Sequence, residues 1–134
     1  MAISYDVVSI RNAMLDTISA RAGNAALLRI YDGTKPATGA AITTQVLLAE
    51  LVCGTPFAPA AVAAVLTANT ITQDASANAG GTASWFRVVQ SGGALFVMDG
   101  VVAASGSDLN LTPVTIVLSQ PVQVSSFVIT EANP

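Results

Sequence analysis

Val7, Ile10, Met14 and Ile18 recur at spacings of three, four and four, one stripe of an amphipathic helix. Ile3 can extend the stripe backward, and Ser4 or Asp6 can cap the first free N–H groups. Gly23 followed by Asn24 supplies a stop, so the pattern predicts a helix over about residues 5–22. A helix of that length is marginal alone and must dock on something. After Asn24 the period changes to two. Ala26–Tyr31 sets Leu28 and Ile30 against Leu27, Arg29 and Tyr31, and Asp32-Gly33-Thr34-Lys35-Pro36 reads as turn and loop. Val46–Cys53 places Leu47, Ala49, Leu51 and Cys53 on one face and Glu50 on the other. Pro56 and Pro59 break the next stretch; in Ala61–Ile71 the Ala content favours helix, but Val62, Val65, Thr67, Thr70 and Ile71 favour strand, and a strand from about Ala64 is expected.

The second half continues in short strands. Thr82–Gln90 leads into Ser91-Gly92-Gly93, a hairpin turn, and Leu95–Val102 returns with an interruption expected at Asp99-Gly100. Ser105–Asp108 is a loop. Thr115–Ser119 and Val122–Glu131 are expected to pair with each other around Pro121, with Ser125, Phe127 and Ile129 on one face and Val124 and Val128 on the other. Short strands at this spacing predict a mainly β fold: a β-sandwich or jelly-roll-like domain over about 26–131, with one N-terminal amphipathic helix. No linker or internal repeat divides the chain, so a single domain spanning 1–134 is expected.

Composition sharpens this picture through one number. Charged residues are 10% of the chain, against about 25% in an ordinary soluble domain. Thirteen charges leave roughly 500 Å² of folded surface for each. A surface so thinly charged is poorly protected against association, which implies that other protein covers part of it.

The same arithmetic removes several chemistries. Histidine is absent, so there is no His base, metal ligand or pH switch. The single cysteine, Cys53, excludes an internal disulfide framework and a Cys-clustered metal site, and reads as a small buried hydrophobe. A net charge of −3 without a Lys/Arg cluster argues against nucleic acid as a partner. No basic segment precedes the first apolar residues, so no signal peptide is expected. Leu51–Gln73 is uncharged and long enough to span a membrane, but Pro56, Pro59, Asn69 and Gln73 interrupt it, and no membrane contact is expected.

Catalytic constellations are equally thin. The one lysine, Lys35, lies beside Pro36 in a loop rather than in the buried setting a Ser–Lys dyad requires. Asp32 and Asp99 precede glycines, Asp74 and Asp108 sit in polar loops, and Glu50 faces away from the apolar set, so a catalytic carboxylate pair is not expected. No calcium loop, P-loop or dinucleotide fingerprint is present. The expectation is therefore a non-enzymatic protein with no cofactor and no metal. Trp85, inside a strand, reads as core, whereas Tyr5 and Tyr31 flank a terminus and a turn and suit contacts better.

The run Leu27-Leu28-Arg29-Ile30-Tyr31-Asp32-Gly33-Thr34-Lys35-Pro36-Ala37 resembles a segment of small virion proteins of tailed bacteriophages and prophages. So do Val46–Leu51, Thr82–Val89, Asp108–Leu111 and Val124–Thr130, in the same order behind the same kind of helix. The resemblance covers nearly the whole chain and implies a bacteriophage virion structural protein. The placement it suggests is a capsid decoration, or cement, protein on the outer surface of the capsid, made in the host cytoplasm. Its partner would be the major capsid protein, with the subunit itself a homo-oligomer (dimer or trimer).

Such a role needs a rigid β framework and low-charge contact faces rather than a catalytic group. The expected protein-contact residues are Ala2, Ile3 and Tyr5 at the N-terminus and Tyr31, Asp32, Lys35 and Pro36 at the first loop. Two alternatives stand beside it: a tail or neck component of the virion, and a carbohydrate-binding adhesion module with Trp85, Tyr31 or Tyr5 exposed on one face. A cement role predicts that more than about 1,000 Å² is buried against partners.

Overall fold

A computed structural model describes residues 3–131. Its N-terminal helix opens with a π-helical turn, Val7–Arg11, and continues as α1, Asn12–Ala22. Asp6 caps it, its carboxylate accepting the Ser9 N–H at 2.6 Å. Gly23, at φ +68°, ends it by donating its N–H to the Ser19 carbonyl. In the π turn Arg11 and Asn12 donate to the carbonyls of Asp6 and Val7, five residues back. That wider turn delays the helix face, and the stripe counted from Val7 slips. Leu15, Ile18 and Ala22 face the core, while Ile10 and Met14 are left outside, which corrects the predicted stripe.

A polar row on α1 then holds the loop that follows the prolines. Asn12 Oδ1 accepts the Ala64 N–H at 2.8 Å, Asp16 Oδ1 accepts the Ala61 N–H at 2.7 Å, and the Ser19 hydroxyl bonds both backbone groups of Ala58. These side chains satisfy backbone groups that no strand reaches.

Nine strands follow among the described residues: β1 (Leu27–Tyr31), β2 (Leu47–Val52), β3 (Val65–Thr67), β4 (Gly81–Thr82), β5 (Trp85–Val89), β6 (Phe96–Ala103), β7 (Leu109–Asn110), β8 (Thr115–Ile116) and β9 (Val128–Thr130). Five form one sheet in the order β2-β1-β5-β6-β7, and β3-β9 and β4-β8 are two-stranded ladders. The protein is mainly β with one N-terminal helix. The core face of the sheet carries Leu28 beside Leu51 and Val88, and Ile30 beside Ala49 and Phe86. Phe127 joins the sheet to the rest, meeting Phe86 edge-on at 5.3 Å and Phe57 at 6.2 Å.

Four details differ from the sequence reading. The β1–β2 register shifts between Ile30 and Tyr31, which makes Leu48 an extra residue and buries it; Leu47 is thereby moved opposite Tyr31, off the face of Ala49 and Leu51. Asp99-Gly100 does not interrupt β6, because Asp99 pairs across to Arg87 and Gly100 leaves room for the Phe86 ring. The two last strands do not pair together: β8 pairs with β4, and β9 with β3. Ser125 and Ser126 are both exposed, so the alternation slips and Val124 and Phe127 both point inward.

The outer edge of β2 is closed. Thr72 donates to the Val52 carbonyl and Asn78 to the Leu48 carbonyl, each at 2.8 Å, and Asp74 Oδ2 accepts the Glu50 N–H at 2.9 Å.

Candidate functional site

The face of the sheet turned away from the core carries a stack of side chains. Tyr31 lies on Trp85 with ring centroids 4.5 Å apart and planes 12° from parallel. The Arg87 guanidinium sits 5.4 Å from the Trp85 ring and 5.4 Å from the Phe96 ring. Cross-strand register produces this stack: Tyr31 opposes Trp85, and Arg87 opposes Asp99. Arg87 Nε donates to Asp99 Oδ1 at 2.6 Å and Nη2 to Oδ2 at 2.9 Å. The hydrogen bonds to Asp99 push the guanidinium pKa further up, against the opposing effect of burial.

The loop 32–46 folds over this stack. Its ends meet, with Asp32 donating its N–H to the Val46 carbonyl and Asp32 Oδ1 accepting the Val46 N–H at 2.7 Å. Gln45 donates to the Thr34 carbonyl at 2.6 Å. The loop is tied down by the Trp85 indole N–H on the Asp32 carbonyl, the Ser84 hydroxyl on the Gly33 carbonyl and the Gly39 N–H on Asp99 Oδ2. A loop with closed ends packed by its own contacts is an Ω-loop, a form often used for recognition. Its exposed part, from Ala37 to Thr44 apart from the half-buried Ala40, carries no charge.

The expected contact residues divide between inside and outside. Ala2 lies outside the described residues. Ile3 is 67% exposed and Tyr5 41%. Tyr31 is buried at 5%, covered by Trp85 and the loop, and so offers no contact face. Asp32, Lys35 and Pro36 are half-buried; Asp32 closes the loop, and Lys35 Nζ donates to the neighbouring Pro36 carbonyl at 3.4 Å. Trp85 is buried at 1%, as its strand position implied, but on the outer face of the sheet against Tyr31 and the 32–46 loop; its neighbour Phe86 is the one in the core cluster.

Exposed apolar side chains also stand along the helix and its lead-in. Ile3, Val8, Ile10 and Met14 are all exposed, Val8 at 75%. The outward row of α1, Ala13, Met14, Thr17 and Ala20, adds no charge, and Arg21 at its end donates to the Phe96 carbonyl.

Every acid considered for catalysis is held by a structural bond. Glu50 pairs with Arg29 at 2.8 Å, Asp74 accepts from Glu50 and Ser76, and Asp108 accepts the Val101 N–H at 2.9 Å. Burial pushes the Cys53 thiol up to about 12, the behaviour of a packed hydrophobe rather than a nucleophile. Among the described residues no group of His, Cys, Asp and Glu could hold a metal ion, and no helix is long and apolar enough to cross a membrane. No family model, curated protein or solved structure matches the chain.

Proposed function

We propose that this chain is a non-enzymatic structural subunit of a tailed-bacteriophage virion: a decoration protein that binds the major capsid protein lattice on its outer surface and stabilises it. The observation that carries the reading is the exposed apolar side chains of the helix and its lead-in, Ile3, Val8, Ile10 and Met14, standing in solvent on a chain with only 13 charges. Such a surface suits permanent cover by other protein. The uncharged tip of the 32–46 loop adds a second low-charge face on a rigid base. The sequence resemblance supplies the kind of particle. We read the sheet and the β3-β9 ladder, which share one core through Phe86 and Phe127, as a jelly-roll-like sandwich.

The test is binding of the purified protein to heads that lack it. Saturable binding in hundreds of copies per head, with added resistance to DNA loss on heating, is the expected result. No binding to heads, with a few copies at the tail or neck, assigns the chain to that part of the particle instead. A dimer or trimer in solution is the assembly state expected on the shell.

A further inference from the structure

Backbone of β6 and β9 borders one open cleft. β6 gives one wall. Val102 donates to the Ser84 carbonyl on the β5 side, so alternation turns the backbone groups of Val101 and Asp99 the other way. The outward Val101 N–H is taken by Asp108. The N–H and carbonyl of Asp99 have no hydrogen-bond partner among the described residues. β9 gives the other wall. Phe127 accepts from Ala68, and Glu131 donates to Ala64, so in this ladder Val128 and Thr130 turn their backbone groups away from β3. Between the walls lies a cleft of about 420 Å³, lined by Phe86, Met98, Phe127 and Ile129 as well as by the two edges.

Asp108 stands in the same cleft. Its Oδ2 takes the Val101 N–H, and no cation among the described residues pairs with its carboxylate. The contrast with β2 is direct, since that outer edge is sealed by Thr72, Asp74 and Asn78. Here the β6 edge is open only at Asp99, short of where Asp108 and β7 cover Val101 to Ala103, and the β9 edge is open at Val128 and Thr130; both openings border one cleft.

We propose that this cleft is a strand-acceptor site. It takes an extended segment of a partner protein, apolar on the side facing Phe86 and Phe127 and carrying a Lys or Arg that meets Asp108. Main-chain bonds to Asp99 on one side and to Val128 and Thr130 on the other hold the segment. Bound, it bridges the uncovered stretch of β6 at Asp99 to the free edge of β9. The free backbone groups select an extended polypeptide, and the unpaired carboxylate selects its charge. The inference goes beyond the virion reading and does not rest on it.

The test uses the full chain, labelled for amide exchange by NMR, and the synthetic peptide acetyl-Thr-Val-Lys-Val-Thr-amide. In the free chain the Asp99, Val128 and Thr130 amides exchange at least about tenfold faster than the Ile129 amide, which is bonded to β3. Excess peptide slows the three fast amides by at least about tenfold. The same peptide with Glu in place of Lys binds more weakly. Val128→Pro removes an N–H that serves no internal bond, so it leaves Ile129 protected and weakens peptide binding. Protection of the three amides in the free chain, no slowing with peptide, equal binding of the Lys and Glu peptides, or full binding by Val128→Pro with Ile129 still protected would each overturn the proposal.

Discussion

Arg87 and Asp99 form a two-bonded ion pair across β5 and β6, with the Asp99 side chain 1% exposed and the Arg87 side chain 10%. The pair also fixes what lies above it. Arg87 spaces the Trp85 and Phe96 rings, and the second Asp99 oxygen anchors the loop at Gly39. Losing one partner leaves a covered charge unpaired, which costs several kcal/mol, whereas replacing both with apolar groups is often tolerated. Asp99→Asn is therefore expected to lower unfolding free energy by about 3 kcal/mol. Arg87→Met combined with Asp99→Leu should cost less than Asp99→Asn alone. Urea unfolding followed by Trp85 fluorescence measures both, and a double variant weaker than the single one would show that the pair is not the source of the loss.

Gly100 lies opposite Phe86 in the β5–β6 pair, and a Cβ there would stand 2.5 Å from the Phe86 Cζ and 3.2 Å from the Asp108 Cβ. Phe86 is 2% exposed with Phe127 edge-on against it, so its ring must shift against a packed neighbour. Gly100→Ala is expected to destabilise by roughly 1–3 kcal/mol through overpacking. At Gly92 an added Cβ meets nothing within 4 Å, so Gly92→Ala should stay within about 0.5 kcal/mol of the parent. Thermal melts of the two variants make the comparison, and equal losses would point to backbone entropy instead of crowding.

Alternation of apolar and polar residues is enough to place β1, β2, β5 and β6, because their pairing is local and one face is dry. The Arg87–Asp99 pair is legible too, in hindsight of register: the two residues lie symmetrically about Gly93 in the turn between their strands. What pattern alone misses is set by irregular backbone. The π turn shifts the helix stripe, the Leu48 bulge moves Leu47, and Ser125-Ser126 exchanges the faces of the last strand. Each inserts a residue that a fixed period does not register. The burial of Tyr31 is hidden for a different reason: a loop whose ends, Asp32 and Val46, lie fourteen positions apart in sequence folds back over it, and nothing local announces that cover.

Cys53 supplies a pH dependence with a definite sign. Its thiol pKa rises from an ordinary value of 9.0 to about 12 on burial. Between those values the native state keeps a proton that the unfolded chain has released, so stability falls as pH rises through this window and is unaffected below it. The slope attributable to this group approaches about 1.4 kcal/mol per pH unit. Cys53→Ala removes that slope. Unfolding free energies of the two proteins between pH 8 and 11, taken as a difference, isolate it from other groups; parallel curves would mean that the thiol is not shielded in the folded chain.

Neighbouring positions on α1 separate packing from recognition. Leu15 is buried at 1%, whereas Met14 and Ile10 are 43% and 41% exposed. Leu15→Ala is expected to cost roughly 2–5 kcal/mol, the range for a core cavity. Ile10→Ser with Met14→Ser removes apolar surface that the isolated subunit does not use, and should move stability by no more than about 1 kcal/mol. If this face is the one that meets the shell, the double serine variant folds normally yet fails to saturate heads lacking the protein. Circular dichroism melts read the first effect and co-sedimentation with heads the second. A double variant that binds heads as tightly as the parent would move the contact elsewhere, with the exposed, uncharged tip of the 32–46 loop the next face to test.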